Sequence, residues 1–169
     1  MSIKIITGVE SLIKSHRVGI VVSRFHEDIT TLLLENALDE LHKSSFDDED
    51  VVIVRVAGSW EIPFATRTLI QSGEIEGVIT LGCLIKGETT HFETISNGVA
   101  TAIMQSSNDF DVPITFGVLT CFSKAQALAR ADGSESNMGR EAARALIQLF
   151  SIQEQVKKNT FPSISELEQ

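Results

Sequence analysis

The stretch GVITLGCLIKGETTHFETISN, residues 77–97, predicts a strand, a loop and the start of a helix in that order. The run at residues 77–82 is mostly apolar, which is typical of a strand covered on both faces of a sheet. Further along, Phe92 and Ile95 begin an apolar stripe with helical spacing that continues to Val99. A buried strand followed by an amphipathic helix indicates one unit of an α/β fold.

The same alternation recurs along the chain. Three further runs are rich in Val, Ile and Leu and predict buried strands at residues 18–23, 51–56 and 114–120. Segments with helical periodicity separate and follow the strands, at residues 27–43, 60–72, 90–105, 123–131 and 137–155. Because crossovers of this kind join parallel strands, the pattern predicts a three-layer α/β/α domain with a central four-stranded parallel sheet.

Composition and charge limit the classes of function. The chain has 169 residues, of which 43% are hydrophobic, and a net charge of −9. This is enough for one domain, predicted at residues 1–155, while residues 156–169 are expected to form a weakly ordered tail. The acidic balance argues against a nucleic-acid surface, and no apolar run is long enough for a membrane span. We therefore expect neither nucleic acid nor membrane as a partner.

The two cysteines are expected to be buried thiols rather than a disulfide. Cys83 and Cys121 each follow a strand-like apolar run, and free cysteine behaves as a small buried hydrophobe. The N-terminal residues MSIKIITGVESLIKSHR have charges scattered through them and do not resemble a signal peptide. A cytoplasmic location with reducing conditions is therefore expected.

In a parallel α/β sheet, ligands bind beyond the carboxyl ends of the strands. Four loops follow the predicted strands, at residues 23–28, 57–63, 82–91 and 120–130. The functional site is expected to come from these loops.

Three side chains in these loops have an interpretation as ligand contacts. Phe25 offers a flat surface to a planar ligand, Glu61 can accept hydrogen bonds from hydroxyl groups, and Arg130 can pair with an anion such as phosphate. Each also has an ordinary structural explanation. Phe25 can be a packed loop aromatic, Glu61 can complement a helix dipole, and Arg130 can be a solvated surface charge. These residues taken singly leave both interpretations open.

The segment GETTH at residues 87–91 also allows two interpretations. Thr90 and Glu93 fit the T-x-x-E pattern of a capping box, which places His91 at the first helical position. The positive end of the helix dipole disfavours a cation there, so the imidazole is expected to be neutral and available as a base. Free N–H groups from Gly87 to Thr90 can also hold a phosphate. A capped helix with an incidental histidine is the alternative.

Several other chemistries have no support in the sequence. Neither a G-x-x-x-x-G-K-[ST] loop nor a G-x-G-x-x-G turn follows the first strand, and no G-x-S-x-G elbow presents a serine nucleophile. The four histidines, His16, His26, His42 and His91, do not have the spacing of metal ligands. We therefore expect no metal, and nucleoside triphosphates and dinucleotides are poorly supported as ligands.

Six stretches in order resemble the lumazine synthase family: SRF (23–25), GSWEIP (58–63), LGCLIKGETTHFE (81–93), VPITFGVLT (112–120), QALARA (126–131) and NMGREAA (137–143). The resemblance covers about residues 16–150. It implies a flavodoxin-like α/β/α fold and a cofactor-free condensation. The substrates would be 5-amino-6-(D-ribitylamino)uracil and 3,4-dihydroxy-2-butanone 4-phosphate, and the products 6,7-dimethyl-8-ribityllumazine, phosphate and water.

The resemblance also implies a role for each matching residue. His91 would donate and accept protons. The aminouracil and its ribityl chain would be contacted by Phe25, Ser59, Trp60, Glu61, Cys83, Leu84 and Ile85, with Phe116 reaching in from a neighbouring subunit. The phosphate would be held by backbone N–H groups of Glu88 and Thr89 and by the guanidinium of Arg130.

The family forms pentamers and multiples of pentamers, so self-association is expected, with residues 1–12 adding a strand to a neighbour's sheet. Two positions depart from the family's pattern. His26 stands where asparagine is common, and Met138 stands where lysine is common. Two other classes of function stay open, a non-catalytic relative that binds a flavin or lumazine and a structural shell protein.

Overall fold

The computed structural model describes residues 5–12 and 15–158. Within these residues the sheet has four strands, β1 (Val18–Ser23), β2 (Val51–Val56), β3 (Gly77–Ile85) and β4 (Ile114–Cys121). They lie in the order β2-β1-β3-β4, and every neighbouring pair is parallel. The predicted four-stranded parallel sheet is confirmed.

Helices cover both faces of this sheet. In the described residues they are α1 (Glu27–Lys43), α2 (Ile62–Gln71), α3 (His91–Phe110), α4 (Lys124–Ala129) and α5 (Met138–Lys157), with 3₁₀ turns at Asp48–Asp50 and Ser59–Glu61. One face is covered by α1 and α5, and the other by α2 and α3. This is the predicted three-layer arrangement. None of the helices in the described part of the chain has the length and apolar character needed to cross a membrane.

β1 contributes to both halves of the core because its side chains alternate between the two faces of the sheet. Ile20 and Val22 are fully buried with α1 and α5, whereas Val21 is fully buried with α2 and α3. All six residues of the strand are buried. A strand covered on both faces in this way requires the continuous apolar run that its sequence contains.

The prediction that residues 51–56 are buried is wrong for the single chain. β2 lies at the edge of the sheet, where Val52 and Ile53 are 37% and 42% exposed. Among the described residues its backbone pairs with β1 only, so its outer edge has no strand beside it. An apolar run predicts that a surface will be covered, but it does not say whether the same chain covers it.

Four elements, β3, β4, α3 and α5, extend beyond their predicted ends. β3 continues to Ile85, because β4 pairs with it as far as Cys121. α3 continues to Phe110 and α5 to Lys157. Helical spacing in the sequence weakens towards the exposed ends of both helices, so the apolar stripe alone underestimates their length.

The N-terminal segment does not form a strand where it is described. Residues 5–12 run along α5, where the side-chain amide of Gln155 donates a hydrogen bond to the carbonyl of Thr7 at 3.0 Å. Residues 1–4 of the segment expected to pair with a neighbour lie outside the described residues, as do residues 159–169 of the expected tail. The domain boundary after residue 155 stays a prediction.

A buried ion-pair network joins α1 to α5. Arg140 is 6% exposed, and its guanidinium donates to Asp39 and Glu40 at 3.1 Å each and to the side chain of Asn36 at 2.7 Å. A charge removed from water to this extent is tolerated only with such partners. The network therefore fixes the position of α5 along α1.

Gly139 allows α5 to approach the backbone of α1 closely. A Cβ at this position would overlap the carbonyl oxygen of Leu33, which cannot move without shifting α1. We expect Gly139→Ala to lower the free energy of unfolding by about 3 kcal/mol and the melting temperature by about 5–10 °C. Gly133→Ala is the matched control, because a Cβ there meets nothing within 4 Å. Equal melting temperatures for the two variants would contradict the close approach.

Candidate active site

A cavity of about 640 Å³ opens at the carboxyl edge of the sheet. The loops after β1, β2 and β3 and the first turns of α3 enclose it, as expected for a parallel α/β fold. Eight predicted site residues line it: Phe25, Ser59, Trp60, Glu61, Leu84, Ile85, Thr89 and His91. The remaining lining residues are Gly58, Gly87, Phe92 and Ile95.

Two aromatic side chains present their surfaces to this cavity. Phe25 is 63% exposed and Trp60 is 59% exposed. Exposed aromatic rings in a concave site are suited to contact with a planar ligand. The backbone N–H of Phe25 donates to the carbonyl of Ala57 at 3.1 Å, so the loop that carries Phe25 is joined to the loop that leads to Trp60.

His26 occupies a turn with an uncommon backbone conformation. Its backbone is left-handed, with φ at 58°, at the N-cap of α1. Asparagine, aspartate and histidine are several-fold enriched among the non-glycine residues that adopt this conformation, so histidine can replace the family's asparagine here. The His26 ring meets the ring of Phe25 edge-on, with the centroids 4.7 Å apart.

The turn at residues 58–61 presents a carboxylate to the cavity. Oε2 of Glu61 accepts a hydrogen bond from the backbone N–H of Gly58 at 2.8 Å, and Glu61 remains exposed. Ser59 is only 4% exposed, and its Oγ has no hydrogen-bond partner among the described residues. The turn thus exposes the carboxylate of Glu61 and buries the hydroxyl of Ser59.

The predicted capping box at the start of α3 is not formed. α3 begins at His91 as expected, but the side chain of Thr90 makes no cap hydrogen bond. Glu93 instead pairs with the ammonium of Lys86, with Nζ and Oε1 2.6 Å apart. Both partners in this bond are charged, whereas a capping-box bond would join the carboxylate to a neutral backbone N–H. The hydrogen bond from Lys86 also lowers the pKa of Glu93.

Backbone N–H groups ahead of α3 are unengaged. Among the described residues, none of the N–H groups at 87–90 donates a hydrogen bond. The next N–H, that of His91, donates to Oγ1 of Thr89 at 3.4 Å. Free N–H groups at the positive end of a helix form an arrangement that binds anions.

Two lysines near this edge of the sheet are paired with carboxylates. Lys86 pairs with Glu93, and Nζ of Lys124 lies 2.6 Å from Oδ2 of Asp28, whose pKa this hydrogen bond lowers. Met138 is partly buried against the core. Neither lysine therefore offers an unpaired charge in place of the cation missing at residue 138.

The sequence of the whole site region also matches a known family. The model for 6,7-dimethyl-8-ribityllumazine synthase matches residues 15–154, which include every residue that lines the cavity. The chain belongs to the 6,7-dimethyl-8-ribityllumazine synthase family.

Similar lumazine synthases occur in distant organisms. The protein of that name from Salinibacter ruber is 41% identical over 141 residues, which are 83% of this chain and 90% of its own length. The one from Levilactobacillus brevis is 39% identical over 84% of this chain and 90% of its own length. The chloroplastic one from Arabidopsis thaliana is 38% identical over 89% of this chain and 66% of its own length.

Four residues suggested by the lumazine synthase resemblance do not line the cavity. Cys83 is fully buried in the core, and Glu88 is exposed to solvent outside the lining. Phe116 lines a separate concavity of about 300 Å³ between α3 and β4. Arg130 lies at the end of α4, where its charge opposes the larger effect of burial on the pKa of Cys121. The side chains of these four residues are therefore absent from the lining of the cavity that contains His91.

Phe92 and Ile95 line the cavity, although their spacing assigns them to the core-facing stripe of α3. Both are only half-buried. The signal was present in the sequence, because residues four apart share a helix face and Ile95 follows His91 by four. In a helix that starts at the rim of a site, the apolar residues of the first turns face the cavity, and those of the later turns face the core.

Both cysteines are buried free thiols, as expected. Burial raises the pKa of Cys83 to about 12 and also raises that of Cys121. At pH 8 roughly one Cys83 in ten thousand is therefore a thiolate, the form that attacks disulfides. We expect an aromatic disulfide reagent to react slowly with the native protein, and with both thiols within minutes after unfolding in guanidinium chloride. Fast reaction of the native protein would contradict this burial.

Proposed function

We propose that this chain condenses 5-amino-6-(D-ribitylamino)uracil with 3,4-dihydroxy-2-butanone 4-phosphate. The products are 6,7-dimethyl-8-ribityllumazine, phosphate and water, and the reaction is the penultimate step of riboflavin biosynthesis. The supporting observation is the cavity that combines two aromatic surfaces, a carboxylate, free N–H groups and an imidazole in a member of the lumazine synthase family. These groups match the two ends of the substrate pair and the proton transfers between them.

The aminouracil binds at the end of the cavity that contains Phe25 and Trp60. A pyrimidine ring stacks on an aromatic surface, and Phe25 provides one that is largely exposed. The Glu61 carboxylate accepts hydrogen bonds from ribityl hydroxyl groups with the oxygen that is not bound to Gly58. Leu84 and Ile85 continue the lining towards α3.

The phosphate of the second substrate binds ahead of α3. The N–H groups of Glu88 and Thr89 have no other partner among the described residues, and the helix dipole favours an anion there. The side chain of Glu88 is exposed to solvent and not part of the lining. This orientation lets its backbone serve the phosphate without bringing its carboxylate into the cavity.

His91 moves the protons. The 5-amino nitrogen attacks the ketone carbon, and water leaves as the C=N bond forms. The neighbouring carbon then loses a proton, the C–O bond to phosphate breaks with the electron pair on the phosphate, and the resulting enol becomes a ketone. The ribitylamino nitrogen attacks this ketone carbon, and a second water leaves as the ring closes. Each step moves a proton to or from nitrogen, carbon or oxygen, and His91 at the first position of α3 lines the cavity in which these steps take place. Holding both substrates together supplies much of the remaining acceleration.

We expect His91→Ala to lower kcat by about 100-fold without abolishing turnover, since general acid–base catalysis is lost but the gathering of substrates is kept. The measurement is lumazine fluorescence after the two substrates are mixed with the purified protein. His42→Ala is the control, because His42 pairs with Asp48 at 2.9 Å at the far end of α1. A wild-type rate in His91→Ala would overturn the role of His91. No lumazine from the wild type would overturn the reaction itself.

A neighbouring subunit completes the site. Phe116 and Arg130 do not line the cavity of their own chain, and both belong to the part of the chain that starts with β4 and continues through α4. A second copy that contributes Phe116 to the cavity would bring Arg130 from the same region. The proposed contact of Arg130 with the phosphate is therefore made across the subunit interface.

Self-association into pentamers or multiples of pentamers would also cover the exposed apolar surface. The edge strand β2 exposes Ile53, and Phe64 on α2, Met104 on α3 and Phe122 after β4 are 76%, 65% and 69% exposed. Side chains of this size are usually covered in stable assemblies. The bare edge of β2 is a site at which an N-terminal segment from another copy can add a strand.

We expect Arg130→Ala to raise KM for the phosphorylated substrate by about tenfold, because a charge-assisted contact to phosphate is lost, and to change KM for the aminouracil much less. Arg17→Ala is the control, since Arg17 pairs with Glu74 at 2.8 Å beside the opposite ends of the strands. An unchanged KM for the phosphorylated substrate would contradict the assignment.

Coexpression of Arg130→Ala with His91→Ala distinguishes the shared site from a site within one chain. If the two residues come from different subunits, some interfaces of a mixed assembly contain both native residues. Activity at low substrate then exceeds the sum of the two separate variants. Activity equal to that sum would show that both residues act from one subunit.

We also propose a cytoplasmic location. Cys83 and Cys121 are free thiols, as a reducing compartment keeps them. The Arabidopsis thaliana relative is named chloroplastic, so location varies among relatives.

A further inference from the structure

The turn that carries Trp60 packs against two glycines. A Cβ on Gly82 of β3 would lie 2.8 Å from Oγ of Ser59, and a Cβ on Gly98 of α3 would lie 3.1 Å from Cζ3 and 3.8 Å from Cη2 of Trp60. Ordinary contacts between carbon atoms are about 3.5–4.0 Å long. Both glycines therefore allow the turn to lie closer to the sheet and to α3 than ordinary contacts of a side chain would permit.

Gly98 lies where the cavity-facing surface of α3 meets the indole. His91 and Ile95 line the cavity, and Gly98 follows them at helical spacing on the same face. The missing side chain at Gly98 leaves the space that the edge of the Trp60 ring occupies. The indole thus has helix backbone on one side, while its remaining surface, 59% exposed for the residue as a whole, borders the cavity.

The glycine is otherwise unfavourable at this place. Gly98 is the only glycine in α3, a helix of 20 residues, and glycine in a helix interior is less favourable than alanine. Its backbone is not left-handed, so no turn or unusual conformation requires it. The close contact with Trp60 is the feature of the structure that accounts for a glycine at this position.

We propose that Gly98 is a positioning residue, which fixes the depth of Trp60 and so the room left for the planar ligand in front of the indole. This rests on the proposed function in that the ligand is the aminouracil. A larger residue at 98 would push the ring by a few tenths of an ångström into the cavity. Because Ser59 is held against Gly82, the turn as a whole cannot retreat, and the indole itself must move.

The kinetic test is Gly98→Ala with and without Trp60→Phe. We expect Gly98→Ala to raise KM for the aminouracil about fivefold, with kcat and KM for the phosphorylated substrate within about twofold of wild type. Alanine favours the helix, so loss of folding does not explain the change. Phenylalanine is smaller than tryptophan, so Gly98→Ala should have little further effect in a Trp60→Phe background. An equal rise of KM in both backgrounds would overturn the proposal.

Fluorescence provides a test that does not depend on catalysis. Trp60 is the only tryptophan of the chain, so its emission reports the position of this one ring. We expect Gly98→Ala to shift the emission to longer wavelength, because the ring moves from the helix towards solvent. It should also weaken quenching by 6-(D-ribitylamino)uracil, which lacks the reacting amino group.

Thr101→Ala is the matched control, since Thr101 is exposed on the same helix and lines neither concavity. It should leave the emission and the quenching unchanged. Wild-type emission and quenching in Gly98→Ala would overturn the proposal. A shifted emission in a protein that makes no lumazine would support the role of Gly98 and overturn only the proposed reaction.

Discussion

The pairing of β3 with β1 on one side and β4 on the other positions the groups of the candidate site. Leu81 is in register with Val22 of β1, and Cys83 with Leu119 of β4. The pattern continues past the strand, where the N–H of Lys86 donates to the carbonyl of Cys121 at 2.9 Å. Because all strands are parallel, this register brings the loops after β1 and β2 to the same edge as the start of α3.

The parts of the fold that depend on burial were predictable from sequence. β1 and α1 begin and end where the apolar pattern predicts, because each is in contact with the core along its length. The site loops followed from the strands, since the carboxyl ends of parallel strands share one edge. The sequence therefore predicts that Phe25, Glu61 and His91 share one edge of the sheet.

The parts that depend on a choice between partners were not predictable. Glu93 had two possible partners, the N–H at Thr90 and the ammonium of Lys86, and the geometry of the folded loop favours the ammonium. The burial of Val52 and Ile53 in β2 depends on what covers the sheet edge, which an apolar run does not specify. The same holds for Arg130, because an arginine after the fourth strand suggests a contact with an anion but does not specify which chain binds that anion.

The turn at His26 has a consequence for the thermodynamics of binding. Its left-handed backbone, together with hydrogen bonds from the N–H groups of Arg24 and Phe25 to Val56 and Ala57, holds the Phe25 loop before any ligand arrives. A loop already ordered loses little conformational entropy when a ring stacks on it. The flexible ribityl chain, in contrast, must give up rotamer freedom of its own. Affinity at this site is thus expected to come mainly from the rigid ring of the ligand. The ribityl chain is expected to contribute more to selectivity than to affinity.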